Sequence, residues 1–420
     1  MKEKLNQIAR PLMLNHVVAL IIGLCDQAMI GHVSVASFVS VGIVAGIINS
    51  LTGVLGATSV SFNILGARAK GNEDEESLAQ LYSFYLIQSL IIGLISVILV
   101  CHLGDSFLNY FYHLEGEVLE EAMSYAIIFS CSIGLNLMIF TGSSYLKIMN
   151  RTKWIFIGNV TATICNVGLD YLLIFGHFGF PKLGIRGNAI GSILALLINL
   201  VIYLPVIKVK IIKKTLRGLK QQMKESIKLS LPLMGQEFLE GTVILTVIGM
   251  LVAQTGLIEV AVYQLMALII NITLMPIFAY GQAALTLISE KMDDLAIIIA
   301  EALKKSFMFY SLIVIVFQIS GSIIFKLIIN DGQVVSLATR YFLFIALITC
   351  LNIPATIYKY GLQAVGREKE VFGLSFISYL LGTIAIVIGF LFQQELYFIY
   401  LGLGISYSYL CYKFREIMIQ

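Results

Sequence analysis

Two aspartates inside apolar segments are the first residues that could do chemistry. Asp26 lies near the end of one long apolar run and Asp170 near the end of another, with Asn166 four residues before it. Residues four apart share one face of a helix. Carboxylate and amide oxygens in a low dielectric can hold a proton or coordinate a small cation. We predict that Asp26, Asn166 and Asp170 form an ion- or proton-coupling site that could hold Na⁺. The alternative is a hydrogen-bond network that only packs helices.

A second acidic group lies in the other half of the chain. Glu240 follows Pro232 by eight residues, and Glu237 lies three residues before it on nearly the same helix face. We predict a substrate or cation role for Glu240, whereas Glu237 could equally belong to a solvated vestibule. Methionine and aromatic side chains suit a loose, apolar substrate surface. The further candidate residues for substrate or cation are Gln236, Asn188, Tyr263 and Met250.

Composition places these polar residues in a membrane. Of the 420 residues, 58% are hydrophobic and 13% charged, whereas a soluble domain carries about 25% charged residues. The net charge of +3 gives no reason to expect nucleic acid as a partner. The six cysteines contain no CxxC pair, and the histidines show no ligand spacing. We therefore expect the lipid bilayer as the surroundings, no cofactor apart from the coupling ion, and no enzymatic activity.

Twelve apolar runs are each long enough to span a bilayer, which needs roughly 20 residues. The first follows Pro11 without a small-residue cleavage site, so we expect it to remain as a membrane helix. The predicted spans lie near 11–31, 35–65, 79–103, 120–147, 154–176, 184–207, 227–253, 258–286, 302–329, 338–364, 371–391 and 394–413.

The distribution of basic residues orients these spans. With a cytoplasmic N-terminus, only four of the 28 Lys and Arg residues fall in outer segments, namely Lys182, Arg186, Lys326 and Arg340. The others, Lys359 among them, fall on the inner side, as expected when basic residues favour the cytoplasm. We predict a multi-pass protein of the cell membrane with both termini in the cytoplasm.

A weak internal repeat divides the spans into six plus six. Pro11-Leu12-Met13 recurs as Pro232-Leu233-Met234 at an offset of 221, and the turn at 150–153 resembles the turn at 366–369 at an offset of 216. We predict an all-α fold of two pseudo-symmetric six-helix lobes, with the N-terminal lobe at 1–207, a basic cytoplasmic linker at 208–226 and the C-terminal lobe at 227–420. Transporters built from two such halves bind substrate between the halves and open the binding site to each side of the membrane in turn.

The repeat also predicts an asymmetry between the lobes. At these offsets Asp26 corresponds to Val247 and Asp170 corresponds to Ile386. The pair of aspartates therefore exists only in the first half, and we expect the coupling ion to bind in the N-terminal lobe.

Several motifs resemble the multidrug and toxic compound extrusion (MATE) transporter family. The most specific is NVGLDYLLIFG at Asn166–Gly176, followed by GFPKLGIRGNA at Gly179–Ala189, which is similar to the family's N-x-x-L-D-(Y/P)-x-L-I-F-G and G-x-G-x-x-G-A-A patterns. Weaker matches are Asp26–Gly31, Gly66–Gly71, Arg151–Lys153 and Gly366–Lys369. The resemblance covers nearly the whole chain.

The resemblance implies a V-shaped pair of lobes that export organic cations or amphipathic drugs in exchange for H⁺ or Na⁺. We also expect the protein to be a monomer. The resemblance assigns Asp26, Asn166 and Asp170 to the N-lobe ion site and Glu240 to a carboxylate of span 7. No acidic residue lies between Arg340 and Arg367, so the span 10 aspartate of some members is absent. This departure puts a C-lobe sodium site in doubt and favours the DinF-like branch.

Three other functions share parts of this sequence pattern. A flippase for lipid-linked saccharides belongs to the same superfamily, but often has fourteen spans and cationic residues in its cavity. An intramembrane aspartyl protease needs two paired aspartates, yet the sequences around Asp26 and Asp170 lack its YD and GxGD motifs. A channel remains an alternative, although buried carboxylates on a duplicated fold favour alternating access.

Overall fold

The structure is a computed structural model. It describes residues 3–14, 29–30, 33, 35–112, 114–207, 216–244, 248, 251–252, 257–328, 332–392 and 395–419. Asp26 and Met250 lie outside the described residues, as do most of the first predicted span and the first part of the predicted linker. Within the described ranges the chain is helical, with turns between helices and no strand.

The described ranges consist mainly of helices. The described part of the first helix, α1, covers 3–14. The chain continues with α2 (Val35–Gly71), α3 (Glu75–Tyr112), α4 (Gly116–Ile148), α5 (Lys153–Phe175), α6 (Ile185–Tyr203) and α7 (Leu216–Phe238). A π-helical turn, Leu239–Ile244, extends α7. The rest is α8 (Leu257–Glu290), α9 (Leu295–Ile328), α10 (Gly332–Thr349), α11 (Asn352–Ala364), α12 (Glu368–Phe392) and α13 (Leu396–Ile419).

The prediction of an all-α, multi-span membrane protein is confirmed. Among the described residues, nine helical segments are long and apolar enough to cross a membrane. Helix α3 shows why a bilayer is needed, because its middle turns expose a continuous row of large aliphatic side chains. Each of them is about half exposed: Ile87, Leu90, Ile91, Leu94, Ile95, Ile98 and Leu99. The cytoplasmic position of both termini stays a prediction.

The tenth predicted span, 338–364, lies within one candidate membrane span, Gly332–Ala364. Its helix is interrupted at Cys350 and Leu351, which separate α10 from α11. Pro354 is the third residue of α11. Proline has no N–H to donate to the carbonyl four residues earlier, so it fits a first helical turn, where that bond is not made, better than the middle of a helix. The proline therefore favours a new helix start at this point.

The internal contacts divide the chain into two compact units. The N-terminal unit covers Leu14–Met234, and the C-terminal unit covers Gly235–Gln420 together with Met1–Met13. Met1–Met13 thus group with the C-terminal unit, whereas the predicted N-terminal lobe begins at residue 1. Tyr280 of α8 donates a hydrogen bond from its hydroxyl to the side-chain oxygen of Asn6, at 2.9 Å, which ties α1 to the C-terminal unit. The predicted lobe boundaries at 207 and 227 stay a prediction.

Candidate functional site

Helix α5 presents a buried face that carries polar residues in its C-terminal half. Thr163, Asn166 and Asp170 follow one another at spacings of three and four residues and are all buried. This spacing keeps them on one side of the helix. The same face continues with Ile174, which joins the apolar core of the N-terminal unit. The local sequence therefore sets a carboxylate and an amide one turn apart within a membrane helix.

Asn188 of α6 completes this group. Its Nδ2 donates to Oδ2 of Asp170 at 2.8 Å, and the Asp170 side chain is fully buried, with 0% exposure. Asn166 and Asn188 are 5% and 3% exposed. The Asn166 side-chain nitrogen has no hydrogen-bond partner among the residues that the structure describes. We call Asn166, Asp170 and Asn188 the Asp170 cluster.

The chain between α5 and α6 fixes this cluster by backbone geometry. Gly176 ends α5 with a φ of 77°, and Gly184 precedes α6 with a φ of 56°. Both values lie where side chains are strongly disfavoured. The N–H of Leu183 donates to the carbonyl of Leu173 at 2.8 Å, which joins the end of the connection back to α5. As a result α6 starts directly beside the last turns of α5.

Two glycines of α6 allow the helices to touch. A Cβ at Gly187 would lie 2.6 Å from the carbonyl carbon and oxygen of Leu173. At Gly191 a Cβ would collide with Oδ1 of Asp170. Because neither residue has a side chain, the α6 backbone comes close enough for Asn188 to reach the carboxylate.

The C-terminal unit repeats this contact without the carboxylate. Gly402 is the seventh residue of α13, as Gly191 is the seventh residue of α6. A Cβ at Gly402 would collide with Cγ1 of Ile386 on α12, the residue that the repeat pairs with Asp170. The same helix pair is therefore built twice, with isoleucine in one unit and aspartate in the other.

A second polar cluster lies inside the C-terminal unit. Nζ of Lys359 on α11 forms an ion pair with Oε2 of Glu240 at 2.8 Å, and their side chains are 15% and 23% exposed. Nε2 of Gln236 donates to Oε1 of Glu240 at 2.9 Å, and Nε2 of Gln363 donates to Oε1 of Gln236 at 2.9 Å. The Tyr379 phenol also interacts with Glu240. We call these residues the Lys359 cluster.

The position of Lys359 corrects the sequence analysis. We expected it among the basic residues at the inner membrane surface, yet it lies within α11 and pairs with a glutamate 119 residues away. A lysine five residues inside an apolar span was the available signal, because such groups normally have a partner in the protein. Gln363 and Tyr379 gave no such signal, since an amide and a phenol are common in helix packing.

The structure distributes the predicted residues over these two clusters. Asn166, Asp170 and Asn188 come together in the N-terminal unit, whereas Gln236 and Glu240 belong to the Lys359 cluster, with Glu237 interacting electrostatically with Lys359. Tyr263 on α8 is partly buried. In the described part of the chain, no three His, Cys, Asp or Glu side chains lie close enough together to hold a metal ion.

Comparison with known families explains the repeat. The model of the MatE family matches the chain twice, over residues 11–172 and 232–391. The two matches begin at 11 and 232, the same offset of 221 that separates Pro11-Leu12-Met13 from Pro232-Leu233-Met234. The chain belongs to the MatE family. The resemblance to MATE transporters is thereby confirmed, and the family is one of transporters rather than enzymes.

Curated relatives carry names from the same family. The chain is 31% identical over 195 residues to "Probable multidrug resistance protein NorM" of Thermotoga maritima, which covers 46% of this chain and 42% of that protein. It is 29% identical over 247 residues to the NorM protein of Streptococcus pneumoniae, covering 57% and 54%. The matched segments thus span about half the length of these relatives.

Solved structures share the whole fold. A MATE protein in complex with MaL6 superposes with a TM-score of 0.88 at 17% identity, covering 100% of this chain and 96% of that chain. An outward-facing multidrug resistance MATE transporter of the MOP superfamily gives a TM-score of 0.86 at 17% identity, covering 100% and 97%. The chain therefore has the fold of the MATE transporters.

Proposed function

We propose that this protein is a secondary antiporter that exports cationic or amphipathic organic compounds by alternating access, coupled to H⁺ and/or Na⁺. The observation that carries the proposal is the fully buried Asp170 with Asn188 bonded to it inside a membrane-spanning helix pair. Membership of a family whose relatives are named multidrug resistance proteins supports the substrate class.

The physical basis is the cost of a charge in a low dielectric. An ionised carboxylate buried in a membrane protein costs several kcal/mol unless a counter-charge compensates it. A proton or a cation bound at Asp170 would remove this cost, so occupancy of the site changes the stability of the N-terminal unit. Binding of the ion can thereby bias the unit between two conformations, which is what ion-coupled transport requires.

The comparison of the two units argues against a role for Asp170 in packing alone. In the C-terminal unit the equivalent helix pair packs glycine against Ile386 at the same place. An apolar side chain therefore satisfies this helix contact, and the aspartate is retained at a cost that packing does not explain. This supports a role for the carboxylate in binding an ion.

The test is Asp170→Asn in reconstituted vesicles. The amide keeps the shape of the side chain and cannot ionise, so we expect ion-driven ethidium transport to fall at least about 10-fold, with the protein still folded in the membrane. Asp105→Asn is the matched control, since Asp105 is exposed on α3 of the same unit. Equal transport by wild type and Asp170→Asn would contradict the proposal.

The same vesicles distinguish the flippase alternative. A lipid-linked saccharide offered in place of ethidium should not be moved. If that lipid crosses the bilayer while ethidium and other organic cations do not, the flippase replaces the antiporter.

A further inference from the structure

The carboxylate of Glu240 lies in a largely buried part of the C-terminal unit, where an unpaired charge is costly. A transporter could leave such a carboxylate for a proton or a soluble cation to neutralise. In this chain the neutralising group belongs to the protein, because Lys359 donates to Oε2 of Glu240 at 2.8 Å. We propose that Lys359 is a tethered cation that holds Glu240 and prevents H⁺ or Na⁺ from binding there.

The hydrogen bonds around Glu240 favour this role. Lys359 donates to Oε2 and Gln236 donates to Oε1, so each carboxylate oxygen already accepts from the protein. The oxygen of Gln236 in turn accepts from Gln363 at 2.9 Å. Both carboxylate oxygens of Glu240 therefore accept hydrogen bonds from the protein. A Na⁺ site would instead need several oxygen atoms directed at one point. The network is built for an ammonium and not for a free metal cation.

Two helical segments of the C-terminal unit bring the Lys359 ammonium to Glu240, so a soluble ion is not needed there. Lys359 lies in the middle of the short helix α11, which begins after the break at Cys350 and Leu351. Glu240 lies in the π-helical turn that follows α7. Only 15% of the Lys359 side chain and 23% of the Glu240 side chain are exposed, so little solvent screens the pair. Removing either partner leaves the other charge uncompensated.

The inference rests on the proposed function in one respect. It deepens that function by assigning the coupling ion to the N-terminal unit alone. Two features of the C-terminal unit argue against an exchangeable ion there. Ile386 stands where the N-terminal unit has Asp170, and Lys359 pairs with the carboxylate of Glu240. The exchangeable ion is therefore assigned to the Asp170 cluster.

The test measures cation-dependent thermal stability and needs no transport. Lys359→Met in an Asp170→Asn background is purified in detergent and unfolded in NaCl and in choline chloride. We expect Na⁺, but not choline, to raise the Tm of this variant by a few degrees, because Glu240 now recruits a soluble cation. The same background with Lys359 intact should show no such gain.

Lys413→Met is the matched control. Lys413 also donates to a glutamate at 2.8 Å, Glu416, but that pair is exposed and solvent already compensates it. Lys359→Met/Glu240→Gln should lose the gained Na⁺ effect, since the carboxylate of Glu240 is no longer there to bind the ion. The proposal is overturned if Lys359→Met gains no more Na⁺ dependence than Lys413→Met, or if the double variant keeps the gain.

If Lys359→Met does not fold, Glu240→Gln carries the test. This variant removes the ion-pair partner of the Lys359 ammonium, and we expect chloride to raise its Tm relative to gluconate. The absence of any such chloride effect overturns the proposal. None of these measurements uses a gradient or a substrate. The proposal for Lys359 can therefore be contradicted while the proposed antiporter function holds, and the antiporter function can be contradicted while the proposal for Lys359 holds.

Discussion

The contact between Gly191 and Asp170 defines the candidate ion site. The carboxylate oxygen lies where a Cβ of residue 191 would be, so the glycine and the aspartate depend on one another. Asn188, one turn earlier on α6, then reaches the other carboxylate oxygen. At the scale of residues, the described part of the site thus consists of one acid, two amides and the absence of a side chain.

We expect Gly191→Ala to displace the Asp170 carboxylate and to weaken ion-coupled transport. The added methyl group overlaps with a buried atom, which costs about 1–3 kcal/mol in a well-packed interior. Thermal unfolding in detergent and ethidium transport measure the two effects.

Gly168→Ala is the control for this variant. Gly168 lies in α5 with nothing near the position of its Cβ, so alanine should be neutral or stabilise the helix by up to about 1 kcal/mol. Equal stability and transport of the two variants would show that the contact at Gly191 has no part in the site.

At the scale of elements, the connection between α5 and α6 decides where the cluster forms. Gly184 has φ 56° and ψ −131° immediately before α6. Its N–H donates to the carbonyl of Ile174, at 3.3 Å. The helix start and the last turn of α5 are therefore held together by one unusual backbone conformation.

Gly184→Ala should destabilise this connection by about 1–3 kcal/mol, because a side chain strongly disfavours that conformation. We expect a lower Tm and a loss of ion-dependent transport, since α6 shifts relative to Asp170. Gly373→Ala, at an open helical position of α12, serves as the control and should leave both unchanged or raise the Tm. A Gly184→Ala protein as stable and active as that control would contradict this account.

At the scale of the molecule, the two halves of the chain match the same family model and differ in chemistry. The twofold match of the MatE model shows the common origin of the halves. The buried aspartate of the N-terminal unit is replaced by Ile386 in the C-terminal unit, where Lys359 neutralises Glu240. A duplicated fold thus carries an asymmetric distribution of charge, which the proposed coupling mechanism uses.

Imposed gradients decide which ion is coupled. We expect a pH gradient alone or a Na⁺ gradient alone to drive counterflow of ethidium in reconstituted vesicles, because both ions can neutralise Asp170. Asp170→Asn should abolish the response to the effective gradient. If neither gradient drove any organic cation, the antiporter would be excluded.

The sequence by itself determined the membrane class, the six-plus-six repeat and the polar face of α5. Each of these is a local or periodic property: apolar runs of sufficient length, a recurring motif, and Asn166 four residues before Asp170. Only the tertiary structure decided the partners. Asn188 was a candidate without an assigned contact, and Lys359 was expected at the membrane surface. Their contacts with Asp170 and Glu240 depend on how closely glycines let helices approach and on which helices pack together, across 18 and 119 residues of sequence. A sequence pattern records that a side chain is buried, but the identity of its neighbour follows from the packing of the whole unit.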